Sequence, residues 1–216
     1  MNLKAVLFDF DGTIADTLPE VFNSFNDVFM YYEGKHLTGK EIIQLFGPTE
    51  DEIILDFLQN KQLADEAIER YYTTYQKAHS SIMKSSNEII SMLKLLIDKK
   101  LRLGIITGKS RRGLDISLNE LGIASMFEAT VAGNEVQHPK PDPEGILKTM
   151  EMMNLKKNEV IFVGDSNADI KAGKAANILT VGVHWLSTVQ SSSFEIEPDY
   201  YITKTVDFMK FVEEHI

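Results

Sequence analysis

Four places in the chain carry residues that could together perform phosphoryl chemistry. The segment Asp9-Phe10-Asp11-Gly12-Thr13 closes the first apolar run. If extended backbone persists through Asp11, alternate side chains share a face, so Asp9 and Asp11 point together and Phe10 points away into a core. Asp9 is then placed to attack phosphorus and form an aspartyl-phosphate. Asp11 is placed to protonate the leaving oxygen and afterwards to activate water. Gly12 allows a sharp turn whose N–H groups suit phosphate oxygens. Further along, Thr107-Gly108 offers a hydroxyl to a phosphoryl oxygen, and Lys140 can neutralise charge spreading over the equatorial oxygens. Asp165 and Asp169 complete the set. A hard divalent cation such as Mg²⁺ prefers carboxylate and backbone oxygens, which makes Asp9, Asp165 and the Asp11 carbonyl the expected ligands, with Asp169 orienting waters or ligating directly.

Each segment taken alone has an ordinary reading. Asp-x-Asp-Gly also occurs in turns and calcium loops, Thr107-Gly108 also reads as a strand-to-helix turn, Lys140 as a solvated lysine, and Asp165 and Asp169 as helix-start residues. Coincidence separates the readings, because all four segments fall at the carboxyl ends of expected strands, where open α/β sheets bind ligands.

The strands that would position them are short apolar runs with little alternation: Leu3–Phe8, Leu101–Thr107, Ala129–Ala132, Glu159–Val163, Leu179–Val183 and Tyr200–Thr203. Such runs suit parallel strands covered on both faces. Between them lie helical patterns at Asn87–Lys100, Leu114–Leu121, Glu144–Met153, Ile170–Asn177 and Val206–Glu214. The alternation predicts a doubly wound, mainly parallel α/β sheet. One interval breaks it. Helices are expected near Pro19–Tyr32, Gly39–Leu45, Glu50–Gln59 and Ala64–His79, with capping boxes at Thr38/Glu41 and Thr49/Glu52. That block is too long for a simple crossover. The expected organisation is therefore a core domain of residues 1–16 plus 83–216 and a helical cap of residues 17–82, hinged near Ala15–Leu18 and Ile82–Ser86.

Composition narrows the function classes. The chain has 216 residues, 44% of them hydrophobic, and a net charge of −10, which argues against a nucleic-acid partner. The absence of cysteine excludes disulfides, thiolate metal sites and thiol nucleophiles. No apolar run reaches membrane-span length. Lys4, Asp9 and Asp11 stand where a signal peptide would be apolar, so a cytoplasmic enzyme is expected, as a monomer or homodimer with no membrane or nucleic-acid partner.

As a set, these motifs resemble the haloacid dehalogenase superfamily. Its first motif corresponds to Asp9-Phe10-Asp11-Gly12-Thr13 with Asp16, its second to Thr107, its third to Lys140-Pro141-Asp142-Pro143, and its fourth to Gly164-Asp165-Ser166-Asn167-Ala168-Asp169. The helical insert resembles the cap of the phosphoglycolate phosphatase-like branch, which includes pyrophosphatases of the PpaX kind. The resemblance implies Mg²⁺, an aspartyl-phosphate route, and a cap that closes over a small phosphorylated substrate. Haloacid dehalogenases themselves lack the second aspartate, so Asp11 favours phosphoryl chemistry. The leading expectation is a phosphatase for a small, phosphoglycolate-like monoester. The alternatives are an inorganic pyrophosphatase, a β-phosphoglucomutase-like mutase and, least, a non-catalytic binding protein. A phosphonoacetaldehyde hydrolase would need a cap lysine; Lys35 and Lys40 qualify by location only and read as surface residues.

The cap should choose the substrate. Phe46-Gly47-Pro48-Thr49-Glu50 resembles the branch's specificity loop, and Thr49 could contact an anion there; the competing reading is a helix connector with a capping box. Phe22, Phe25 and Phe29 read as cap core. Lys109, Arg111 and Arg112 read as solvated surface near the site, and the five histidines show no metal-ligand spacing.

Overall fold

The computed structural model describes residues 2–85 and 87–216. Its strands are β1 (Ala5–Phe8), β2 (Arg102–Ile106), β3 (Ala129–Val131), β4 (Val160–Gly164), β5 (Leu179–Val183) and β6 (Tyr200–Ile202). They pair in parallel in the order β3-β2-β1-β4-β5-β6. Between β1 and β2 the chain passes through α1 (Leu18–Glu33), α2 (Gly39–Ile43), α3 (Glu50–Phe57), α4 (Ala64–Ser85) and α5 (Asn87–Asp98). Later crossovers carry α6 (Arg111–Leu121), α7 (Glu144–Met152) and α8 (Asn167–Ala175), and α9 (Thr205–Glu213) follows β6.

Both faces of the sheet are covered, which is why its strands read as unbroken apolar runs. Val6 and Phe8 belong to a buried cluster with Leu93 and Leu96 of α5, Leu114 of α6 and Phe208 of α9. The alternate residues Ala5 and Leu7 belong to a different cluster, with Ile146 of α7 and Ala172 of α8. From β1 the chain first builds outward to β2 and β3, then returns to lay β4 on the other side of β1. That reversal opens a crevice beyond the carboxyl ends of β1 and β4.

The helices α1 to α4 have a core of their own. Val21, Phe25, Val28 and Phe29 line one face of α1 at helical spacing and pack with Ile42, Ile53, Ile54, Tyr71, Tyr72 and Tyr75. Phe25 lies 4.8 Å from the Tyr71 ring and 5.5 Å from Phe29. Ile116 of α6 packs against this cluster from the sheet side. Two hydroxyl pairs join the layers: Tyr72 with Ser110 Oγ at 2.6 Å and Tyr75 with Ser117 Oγ at 2.9 Å. Among the described residues no helix is long and apolar enough to cross a membrane.

Some boundaries differ from the sequence expectation. Helix α4 continues to Ser85 rather than ending near His79. The second expected hinge, Ile82–Ser86, runs into Ser86, which lies outside the described residues. Helix α6 starts at Arg111 rather than Leu114, because Ser110 caps it by accepting from the Gly113 N–H at 3.0 Å. Gly122 ends it with φ 65°, as expected of a left-handed cap. Glu159 closes a tight turn before β4 instead of opening the strand, and its carboxylate takes Lys4 at 2.6 Å.

Candidate active site

The crevice gathers the chemical residues onto one floor. Asp9 follows β1 and is buried, held by its N–H to the Val163 carbonyl at 2.9 Å. Lys140 Nζ stands between two carboxylates, 2.7 Å from Asp9 Oδ1 and 2.6 Å from Asp169 Oδ1, and 3.3 Å from the Ile106 carbonyl. Asp169 Oδ2 is fixed by the Ser166 N–H at 2.9 Å and hydroxyl at 2.6 Å, in the capping box that starts α8. Asp165 Oδ1 accepts from Thr13 Oγ1 at 3.1 Å. Thr107 is buried at the end of β2. Gly12 has φ 82°, and a Cβ there would stand 2.4 Å from Asp165 Oδ2, so conformation and space both require glycine. Phe10 is fully buried in the sheet core.

Charge on this floor is unbalanced. Burial, with the nearby Asp169 carboxylate, raises Asp9 to about 7, against the opposing pull of Lys140. Burial and then Asp9 and Asp169 push Asp165 well above the usual carboxylate range. For Lys140, burial works against the ammonium, but Asp169 and Asp9 outweigh it and hold its pKa above the ordinary value. Asp9, Asp165 and Asp169 each bring an oxygen within 4.8 Å of the others. Gln190 meets the same spot with donors: its N–H reaches Asp165 Oδ2 at 2.6 Å, and its Nε2 reaches the Asp11 carbonyl at 3.1 Å and Asp9 Oδ2 at 3.5 Å. An all-oxygen set of three carboxylates that attracts donors and has one lysine to balance it fits a hard cation such as Mg²⁺. Asp169 has both oxygens engaged, by Lys140 and Ser166.

Over the floor lies a cavity of about 260 Å³. Asp9, Asp11, Thr107, Gly108, Lys140 and Gln190 line it below, and Val21, Phe25, Phe46, Gly47, Pro48, Glu50 and Ile53 line it from the helical side. Asp11 turns toward that side, where it accepts a short hydrogen bond from Thr17 Oγ1 and meets Lys109 Nζ at 3.2 Å.

Two sequence expectations are corrected here. Lys109 is not solvated: it is buried between Asp11 and Glu50 Oε1, the latter at 3.4 Å, with its ammonium 4.4 Å from the Tyr75 ring centre. Burial disfavours the ammonium, but Asp11, Tyr75 and Glu50 hold its pKa well above the ordinary value. Thr49 does not line the cavity, because its hydroxyl and N–H are both turned to Glu52 Oε2, at 2.8 and 2.7 Å, in the expected capping box. Its neighbour Glu50 takes the cavity position. Phe25 both fills the helical core and lines the cavity. Gln190 gave no sequence signal beyond its place beside Ser191-Ser192-Ser193, where Ser191 Oγ accepts the Asn167 N–H at 3.0 Å. A lysine directly after a strand-end Thr-Gly was the one available hint for Lys109.

The comparisons agree with this architecture. A family model described as haloacid dehalogenase-like hydrolase matches residues 6–183. The chain belongs to that family and is a hydrolase of the phosphatase type. It is 29% identical over 214 residues to pyrophosphatase PpaX of Anoxybacillus flavithermus, covering 98% of both chains. Among solved structures, a predicted phosphoglycolate phosphatase from Haemophilus somnus 129PT superposes with a TM-score of 0.81 at 19% identity, over 98% of this chain and 99% of that one. A β-phosphoglucomutase from Clostridium difficile superposes with a TM-score of 0.79 at 22% identity, over 99% and 96%. At these identities the two structures speak for the fold.

Proposed function

We propose that the chain is a cytoplasmic, Mg²⁺-dependent phosphatase that hydrolyses a small phosphomonoester through an aspartyl-phosphate on Asp9. The observation that carries this is the pairing of a buried strand-end carboxylate, Asp9, with Lys140 at 2.7 Å, beneath a cavity that also holds Asp11. We take residues 17–82 as a cap that admits substrate, and residues 1–16 plus 83–216 as the core.

In this reading an Asp9 carboxylate oxygen attacks phosphorus while the bond to the leaving oxygen breaks, and Asp11 gives that oxygen its proton. Asp11 then takes a proton from water, whose oxygen attacks the same phosphorus. Asp9 departs as carboxylate and inorganic phosphate is released. Thr107 and the Gly12 and Gly108 backbone hold phosphoryl oxygens, and Lys140 neutralises their charge. The Asp9 and Asp165 carboxylates and the Asp11 carbonyl would hold Mg²⁺, with Asp169 behind Lys140. The metal, when bound, supplies positive charge that lets an anionic nucleophile approach an anionic phosphate.

A phosphate-release panel with and without Mg²⁺ tests this. Release that continues undiminished in Asp9→Asn would sink the mechanism. A second reading, inorganic pyrophosphatase, is favoured by one observation: a full-length relative carries the name pyrophosphatase PpaX. A β-phosphoglucomutase-like mutase would instead interconvert a sugar phosphate without net phosphate release.

A further inference from the structure

The cap contributes a carboxylate to the leaving-group side of the cavity. Glu50 opens α3, is 6% exposed and lines the cavity. It is anchored to the sheet side, not to its own layer: Oε2 accepts the Ser110 N–H at 2.7 Å, and Oε1 faces Lys109 Nζ at 3.4 Å. Room for it comes from Gly113, where a Cβ would stand 2.7 Å from Oε1.

Lys109 and Lys140 are the cations among the described residues lining the cavity, and both are committed. Lys140 serves Asp9 and Asp169 at the phosphoryl end. Lys109 lies 3.2 Å from Asp11 and 3.4 Å from Glu50. One ammonium thus faces two carboxylates, and this side of the cavity has no cation beyond those pairings among the described residues. The rest of the roof, Val21, Phe25, Phe46, Pro48 and Ile53, is apolar.

We propose that Glu50 is a charge filter for the leaving group: with the cap closed, the enzyme accepts phosphomonoesters whose leaving alcohol is uncharged and discriminates against those whose leaving group carries further negative charge. This rests on the phosphatase reading above. A second phosphate or a carboxylate placed beside Asp11 meets Glu50 with no unpaired cation to offset the repulsion. An uncharged alcohol meets apolar side chains and leaves the Lys109 pairings intact.

The test uses the full-length protein with Mg²⁺ and compares kcat/KM for pyrophosphate and phosphoglycolate with that for ethyl phosphate and glycerol phosphate. Glu50→Gln keeps the shape and an acceptor for the Ser110 N–H but removes the charge. The wild type is expected to prefer the uncharged leaving groups, and Glu50→Gln to raise the ratio of charged to uncharged kcat/KM by about tenfold or more, chiefly through KM. Glu50→Ala provides the same readout should the amide not fold. A merely structural Glu50 would lower all substrates together and leave the ratio flat. A flat or falling ratio, or a wild type that prefers pyrophosphate, overturns the filter and leaves the phosphatase reading standing. Absence of phosphate release from every substrate sinks both.

Discussion

The floor and the roof of the cavity solve opposite problems. On the floor, buried carboxylates crowd around one lysine and remain short of positive charge, so the arrangement is poised for a cation. The roof is aromatic and aliphatic apart from Glu50, and Glu50 meets a sheet-side lysine, Lys109, that Asp11 also flanks, so nothing there calls for more charge. On the proposed function the difference divides the reaction: reactivity would belong to the strand ends, and choice of leaving group to the helices. The contrast breaks if floor variants change selectivity, or if roof variants abolish chemistry while leaving binding intact.

The largest effect should come from the floor. Asp9→Asn is expected to reduce turnover by roughly four orders of magnitude or more, the scale of losing a catalytic nucleophile. It should also abolish any phosphoenzyme trapped by rapid quench with labelled substrate. Lys140→Met comes next, with a loss of about 10²- to 10³-fold in kcat, as for removal of one charge-stabilising donor. Neither variant should move the ratio between substrates of different leaving group by more than about threefold, because neither residue meets the leaving group.

The roof's own large effect is on stability. Phe25 is fully buried against Tyr71 and Phe29. Phe25→Ala should cost about 3–5 kcal/mol in denaturant unfolding, since a well-packed helical cluster cannot close over the missing ring. A loss near zero would mean that α1 to α4 are loosely packed, and the contrast with the sheet core would fail.

Much of this contrast was legible in the chain. The strand ends were readable because each catalytic segment follows an unbroken apolar run, and the helical block because it spans the interval where no such run occurs. The two charges that matter most where the roof meets the sheet were not. Lys109 read as solvent-facing because its partners lie far away in sequence: Asp11 on the first loop, Glu50 on α3 and Tyr75 on α4. Glu50 was hidden by its neighbour. Thr49 carries the recognisable capping signature, and a capping box consumes the very hydroxyl that would have met an anion. Local patterns announce local bonds, whereas a buried ion pair across two layers is a fact of packing. Gln190 illustrates the same limit from a loop with no periodicity at all.

Floor charge also predicts a pH dependence. Asp9 is raised on folding from 3.8 to about 7, so between those values the folded metal-free protein holds more protons than the unfolded chain. Its stability should therefore fall as pH rises through that window, and Asp165, raised for the same reason, adds to the trend. Mg²⁺ displaces the proton, so metal affinity should rise with pH up to about 7 and the added Tm from Mg²⁺ should be larger at pH 8 than at pH 6. Thermal scans with Mg²⁺ or with a chelator check both signs. A metal-free Tm that climbs from pH 6 to pH 8 would contradict the charge deficit on which the floor's description depends.

The smallest expected effect is the sharpest probe of the roof. Two related capping devices start neighbouring helices: Thr38 with Glu41 on α2, exposed, and Thr49 with Glu52 on α3, beside the cavity. Thr38→Ala should cost about 1 kcal/mol by leaving the Glu41 N–H without its partner, and Thr49→Ala somewhat less, since its hydroxyl donates to Glu52. Their kinetic consequences should differ. The Thr38 box touches only its own helix, so Thr38→Ala should leave the ratio of charged to uncharged leaving groups where it was. The Thr49 box fixes the turn that delivers Glu50 to Ser110 and Lys109. Loosening it should let that carboxylate drift, raising the ratio in the same direction as Glu50→Gln but by a smaller factor, about two- to threefold. Were Thr49 instead a direct anion contact, its loss would lower the ratio, because the charged leaving groups alone would lose a hydrogen bond. The sign of one small change thus separates a cap that positions a carboxylate from a cap that binds an anion.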